Sequence, residues 1–387
     1  MEILSIGGGV CAPKGFFADG LNCGLKPNGG GDLAFIRSST PCDLAAVFTS
    51  NRFACAHIRH AKAHKGKVNG IIANSKNANA MSGSEGVAAV ERVVAAVPFE
   101  NFLMASTGVI GVPLPVEKII GGIGRFDWNA VNGGAAAKAI MTTDRWEKQI
   151  AFEVRCNGET FTIGAMAKGA GMIAPQLATM LCFVTTDAAV HQEALQAHLN
   201  GALDDSFNAI SVDGDMSTND TIYLLANGSS GAYDAQAFDA ALRRALHFLA
   251  LEIVRDGEGA TKLAAFEVKN AATKEEAKRA AKMLSNSLLV KTALFGADPN
   301  WGRIASTIGA AQIECDAESL TISIGGVTVY EKGRGCMDKE REKAAAAALR
   351  TESFRVVCDL GIGTHSYTAY GCDLGYEYVK INADYRT

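Results

Sequence analysis

Thr179 stands where a glycine-rich run meets an apolar one. The stretch MAKGAGMIAPQLATML, residues 166–181, sets small residues directly before a threonine and an apolar segment directly after it. A threonine hydroxyl is a poor nucleophile and needs an adjacent base, and one solution is an N-terminal threonine whose own α-amine takes the proton. That amine has an ordinary pKa of about 7.7–8.0, so a modest downward shift suits it to general-base work near neutrality. An internal threonine gains a free amine only if the chain is cut before it. Attack of the Thr179 hydroxyl on the Ala178 carbonyl would give an ester that water opens, leaving chains 1–178 and 179–387. Two plainer readings fit the same residues. Lys168-Gly169-Ala170-Gly171 could be a phosphate-binding turn, although it lacks the Walker spacing and no helix pattern follows it. A threonine opening a strand is also, in most proteins, simply a good β-former.

Such a nucleophile needs a rigid frame. Residues 180–184 are wholly apolar and read as a strand covered on both faces. Residues 102–106 form a second apolar strand that ends at Thr107-Gly108. The runs 150–156 and 159–165 flank Asn157-Gly158, a strong short hairpin signal. Helix patterns cover 87–97, with Ser84 as cap and Pro98 as stop, then 191–203 and 235–255. Thr273 and Glu276 make a capping box that opens another helix. A second hairpin, 321–324 with 327–330, turns at Gly325-Gly326, and 338–350 is an alanine-rich helix. Strands alternating with helices mean α/β or α+β.

Composition narrows the function. The chain has 387 residues, enough for two or three domains, and a boundary near 200–210 is reasonable although composition does not mark it. A net charge of −4 without a basic run argues against nucleic acid as a partner. No apolar run approaches membrane-spanning length, so no membrane partner is expected, and Met1-Glu2-Ile3-Leu4 lacks the pattern of a secretory signal. The ten cysteines are never closer than 12 residues, which excludes CxxC spacings and favours free thiols in a reducing cytoplasm. His57, His60 and His64 have helical spacing, but Lys62, Lys65 and Lys67 surround them, so they read as a solvated basic face rather than metal ligands. No metal and no cofactor is expected.

The segment GAGMIAP (169–175) followed by ATML (178–181) closely resembles the self-cleaving segment of the ornithine acetyltransferases, or glutamate N-acetyltransferases, the ArgJ family of arginine biosynthesis. Further signatures follow in family order: APKGF at 12–16, NANA at 77–80, STGVIG at 106–111 and MTTD at 141–144. VDGD at 212–215, STND at 217–220, EGATK at 258–262, DPNWGR at 298–303 and INADY at 381–385 complete the set. Each is weak alone, and together they span nearly the whole chain. The sequence departs from the family pattern at Lys76, where glycine is usual, and in the bulky His365-Ser366-Tyr367.

The resemblance implies that Thr179 is both the self-cleavage residue and the acetyl acceptor, with Ala178 on the other side of the cut. Thr107 and Gly108 match the family's oxyanion hole, and Lys168 matches a substrate-contacting lysine that would otherwise read as a solvated loop charge. Either Thr142 or Thr143 contacts substrate; Glu258 would hold the substrate's amino group; Asn382 and the terminal Thr387 would close the site. The reaction implied is acetyl transfer from N2-acetyl-L-ornithine to L-glutamate, and the sequence carries no motif that decides whether acetyl-CoA is a second donor. The rival is a self-processing aminopeptidase, a hydrolase that typically has serine at the cut; a binding protein that never cleaves is a third reading. The implied fold has mixed sheets in α/β/β/α layers with a second, smaller α/β domain. Residues 1–205 with 350–387 would form the main domain and 206–349 the other, and two α and two β chains would assemble together.

Overall fold

A computed structural model describes residues 1–174 and 180–384. Among these, a nine-stranded sheet runs in the order Glu2–Ile6, Lys148–Cys156, Glu159–Lys168, Leu181–Thr186, Thr221–Ala226, Leu33–Phe48, Val68–Asn74 and Phe102–Ser106, with Phe16–Leu21 paired to Leu33–Phe48. The strand Leu33–Phe48 is the joint. Its first part pairs with Phe16–Leu21 and Val68–Asn74, and its last six residues pair with Thr221–Ala226. The register shifts between Arg37 and Cys42, around Pro41, which has no N–H to give to a ladder.

That break lets the two parts of the sheet lie face to face. Because side chains alternate along a strand, each strand feeds two cores. Leu181, Phe183, Tyr223 and Leu225 from one part meet Ile36, Ile71, Leu103 and Ala105 from the other. Their neighbours Cys182, Val184, Ile222 and Leu224 turn outward and pack with the helices Gln192–Ala202 and Ala235–Arg255. On the far side Phe35, Ile72, Phe102 and Met104 pack under the helices Gly83–Ala95 and Val116–Ile123. The layers are therefore α/β/β/α. Coverage on both faces is also why 180–184 contains no polar residue.

A second sheet has seven strands among the described residues, in the order Arg334–Gly335, Val327–Glu331, Thr321–Ile324, Ser353–Asp359, Leu263–Ala271, His365–Cys372 and Ile210–Ser211. The helix Lys274–Asn286 packs into its core through Ala277, Ala281 and Leu284, and it opens with the Thr273 side chain accepting from the Glu276 amide. The two sheets depart from the expected division of the chain. Thr221–Ala226 belongs to the first sheet, and Ser353–Asp359 and His365–Cys372 belong to the second, flanking Leu263–Ala271. Among the described residues, the helix Tyr376–Asp384 carries the end of the chain back toward the first sheet's site, where Asn382 meets Glu258.

The long helix is found at Ala235–Arg255, with the Asp234 side chain capping the Ala237 amide. The helix expected at 87–97 starts earlier, at Gly83, and ends at Ala95. The strand expected to stop at 165 runs on to Lys168, because Ala167 and Lys168 still have partners in Cys182 and Leu181.

Candidate active site

Seven of the residues singled out in the sequence line one cavity of about 430 Å³: Thr107, Gly108, Thr142, Thr143, Lys168, Glu258 and Asn382. Ala178, Thr179 and Thr387 lie outside the described residues. Met180, next after Thr179, donates its amide to Asp220 Oδ1 at 3.1 Å.

Thr107 and Gly108 follow the buried strand Phe102–Ser106. The Thr107 amide is spent on the Asn74 carbonyl at 3.0 Å, whereas its hydroxyl and the Gly108 amide make no hydrogen bond to a described residue. Among the described residues, both donors are thus open to a ligand oxygen. Gly108 has φ +132°, and a Cβ there would fall 2.2 Å from the Lys76 carbonyl carbon, so only glycine fits. Asn74, Asn77 and Asn219 hold this corner: the Asn219 amide donates to the carbonyls of Ser106 and Ala78, and Ser106 Oγ donates to Asn74 Oδ1. Lys76, the residue that departs from the family pattern, has φ +74°. That is the left-handed region, at a cost of roughly 1–2 kcal/mol for a residue with a Cβ, and explains why glycine suits the position.

Lys168 is buried, not a solvated loop charge. Its side chain sits opposite Leu181 in the ladder, with the ammonium 3.9 Å from Asp144 Oδ2. Asp144 in turn accepts from Lys148 at 2.8 Å and from the amides of Thr142 and Gly169. Lys148 also reaches Asp256 at 2.5 Å, and Asp256 takes Arg145 at 2.9 Å. Burial pushes the Asp144 carboxyl up, but the Lys168 and Lys148 ammoniums outweigh it and hold the group well below the usual range. Burial likewise lowers Lys168, against the pull of Asp144. The chain of charges fixes Thr142 and Thr143 beside a cation suited to a carboxylate.

The glycine-rich segment before the threonine is pinned from outside. Asp213 accepts the amides of Met172 and Ile173 at 2.6 and 2.8 Å, and the Glu258 amide donates to the Ala170 carbonyl at 2.8 Å. The Glu258 carboxylate lies against Gly171, where a Cβ would come within 2.4 Å of it, and it accepts from Asn382 at 2.8 Å. Asp213 and Tyr378 also line the cavity and meet each other at 3.3 Å. Neither was singled out for a role, although Asp213 sits in one of the quoted motifs. Asp220 is the other residue missed. It is fully buried, and burial pushes its carboxyl well above the usual range.

His57 corrects the reading of a solvated face. Lys62, Lys65 and Lys67 are exposed, but His57 opens the helix Ala56–Ala63 and points inward, with no exposed surface. Its Nδ1 accepts from the Ser106 amide at 3.2 Å, which leaves the proton on Nε2, 2.9 Å from Thr221 Oγ1. Burial lowers its pKa to about 3, so the ring is neutral. It braces the strand end that carries Thr107. Among the described residues no group of three His, Cys, Asp or Glu is placed to hold a metal.

The model of the ArgJ family matches residues 17–387. The chain belongs to the ArgJ family. Among its family relatives, the arginine biosynthesis bifunctional protein ArgJ of Wolinella succinogenes is 54% identical over 395 residues, covering 100% of both chains. The ArgJ of Symbiobacterium thermophilum is 46% identical over 407 residues, again covering 100% of each. A crystal structure of the Bacillus halodurans ArgJ is similar at 41% identity and a TM-score of 0.50, over 52% of this chain and 98% of that one.

Proposed function

We propose that this ArgJ-family chain is a glutamate N-acetyltransferase that cuts itself between Ala178 and Thr179 and then carries acetyl groups on Thr179. The observation that carries the reading is the cavity itself. Two donors with no partner among the described residues, a buried lysine and a carboxylate–amide pair line one space, beside the strand that begins just after Thr179. In the first half-reaction the Thr179 hydroxyl attacks the acetyl carbonyl of N2-acetyl-L-ornithine, and its α-amine takes the hydroxyl proton. Thr107 Oγ and the Gly108 amide receive the oxyanion, the C–N bond breaks, and ornithine leaves with the proton. In the second, the amine of L-glutamate attacks acetyl-Thr179 and releases N-acetylglutamate. Lys168 suits the α-carboxylate common to both amino acids, and Glu258 with Asn382 suits the amino group.

Water is a competing acceptor for any acyl-threonine, and glutamate wins only if it is held with its amine aimed at the acyl carbon. Steady-state kinetics with both substrates varied should give parallel double-reciprocal lines. Withholding glutamate should leave a mass gain of about 42 Da on the 179–387 chain. Intersecting lines with no acetylated chain would sink the covalent route, and acetate release in place of transfer would make the protein a hydrolase. The relatives carry "bifunctional" in their names, and acetyl-CoA, which would acylate Thr179 by the same attack, is the second donor to try in that assay.

Thr107→Ala removes a hydroxyl that makes no hydrogen bond to any described residue, so stability should hardly change. kcat should fall about 10²-fold with KM little altered, the cost of one oxyanion donor. Unchanged turnover would remove Thr107 from the mechanism. We further propose that two copies of each piece assemble, and that the enzyme works in the cytoplasm, where its ten free thiols stay reduced. Gel filtration with mass measurement tests the assembly.

A further inference from the structure

Between the helices Lys274–Asn286 and Trp301–Gly309 lies an open surface groove of about 550 Å³, lined among others by Arg279, Lys282, Asn286, Ser287, Ser306 and Thr307. It lies on the smaller sheet's helical layer and plays no part in the chemistry above. We propose that this groove binds a small oxyanion, a phosphate or a carboxylate, and that its occupancy is felt at the reaction cavity through Asn286 and Ser211.

Three observations lead there. Lys282 is half-buried, yet its ammonium makes no hydrogen bond and no ion pair to any described residue. The charge around it is also unbalanced. Asp204 is the carboxylate that faces it, and Lys274 and Lys278 both already hold Asp204. Arg279 uses one nitrogen on the Gln312 carbonyl at 2.8 Å, and the rest of its guanidinium makes no hydrogen bond to a described residue; Arg303, on the facing helix, is turned to the Leu289 carbonyl. The Ser306 hydroxyl stands on the opposite wall, beside Thr307, whose own hydroxyl donates to the Arg303 carbonyl at 2.9 Å. Two cations facing the Ser306 hydroxyl, with the local carboxylate already occupied, suit an anion. Burial, with repulsion from Lys278 and a partial offset from Asp204, lowers Lys282 to about 8, so the site carries its full charge below that pH and loses it above.

The link to the reaction cavity is short. The Asn286 side-chain oxygen accepts from Ser211 Oγ, which also lies 3.1 Å from the Ile173 carbonyl. Ile173 and Met172 give their amides to Asp213, which lines the reaction cavity. An anion that accepts a hydrogen bond from the Asn286 amide would fix the orientation of that side chain, and with it the loop that carries Asp213.

Calorimetric titration of the full protein with inorganic phosphate, and separately with acetate, tests the proposal. Saturable binding is expected for at least one, weakened about tenfold or more in Lys282→Ala and kept in Lys282→Arg. At pH 8, runs in buffers of different ionisation enthalpy should show proton uptake on binding, because an anion raises the lysine's pKa, and the uptake should vanish in Lys282→Ala. Binding of phosphate alone points to a phosphorylated ligand, and of acetate alone to a carboxylate. No saturable binding of either, or the same affinity and proton uptake in Lys282→Ala, would overturn the site. A KM unmoved at saturating anion in the wild-type protein would overturn the link through Asn286.

Discussion

Thr179→Ala is expected to leave a single uncut chain of 387 residues with no measurable acetyl transfer. Two separate chemistries fail together, because the same hydroxyl would open the Ala178 peptide bond and later accept the acetyl group. Removing a nucleophile of this kind costs on the order of 10⁴–10⁶-fold in turnover. Thr179→Ser keeps a hydroxyl on the same carbon and should still cut and still turn over, more slowly. A denaturing gel and intact masses read the first result, and an ornithine-release assay reads the second. If Thr179→Ala still ran as two pieces, the cut would lie elsewhere or would belong to a contaminating protease.

His57 should make the protein sensitive to mild acid. Its folded-state pKa, about 3, lies below the ordinary value of 6.5 because of burial, so above pH 6.5 neither folded nor unfolded chain binds the proton. As pH falls below 6.5 the unfolded chain takes up a proton that the folded chain refuses, and stability drops until pH nears 3. The loss is at most about 1.4 kcal/mol per pH unit, or roughly 2–3 kcal/mol between pH 6.5 and 4.5. Asp144, depressed in the folded chain from its ordinary 3.8, costs stability only below this window, whereas Asp220, raised by burial, gains stability as pH falls; both are common to the two proteins compared below. Urea unfolding at pH 7, 5.5 and 4.5, in the uncut Thr179→Ala background so that unfolding stays unimolecular, compares His57 with His57→Gln. The glutamine amide offers a donor and an acceptor but no titration. Equal pH dependence in the two proteins would show that the ring is not what responds.

Elements with strong local signals were readable from the residues alone. The helix Ala235–Arg255 has a cap and a long apolar stripe, and the hairpin at Asn157-Gly158 has a turn that dictates its own register. Elements ahead of residue 83 were not readable in this way. Leu33–Phe48 mixes Arg37, Ser38, Ser39, Thr40 and Pro41 into one strand because it crosses from one part of the sheet to the other, and neither half shows a clean period. In the site, the residues named for roles came from the family likeness, and the structure gathers the seven described ones into one cavity. What the sequence could not supply was burial set by distant partners. Lys168 has three small neighbours after it and looks solvated, but Asp144, 24 residues away in sequence, supplies a carboxylate for it. His57 sits among lysines, and its inward direction depends on Ser106 and Thr221, strands apart.

The strand order bears on what a cut at residue 178 would do to the molecule. Leu181–Thr186 and Thr221–Ala226 come from the second piece, yet they lie between Glu159–Lys168 and Leu33–Phe48, both from the first. The severed chains would be intercalated, each completing the other's sheet, and the break would sacrifice none of those ladder bonds. Separation would expose unpaired edges on both pieces, which invites aggregation, so dilution should not dissociate them. Folding must then come before the cut, and two pieces produced separately would lack the template that a single polypeptide gives them.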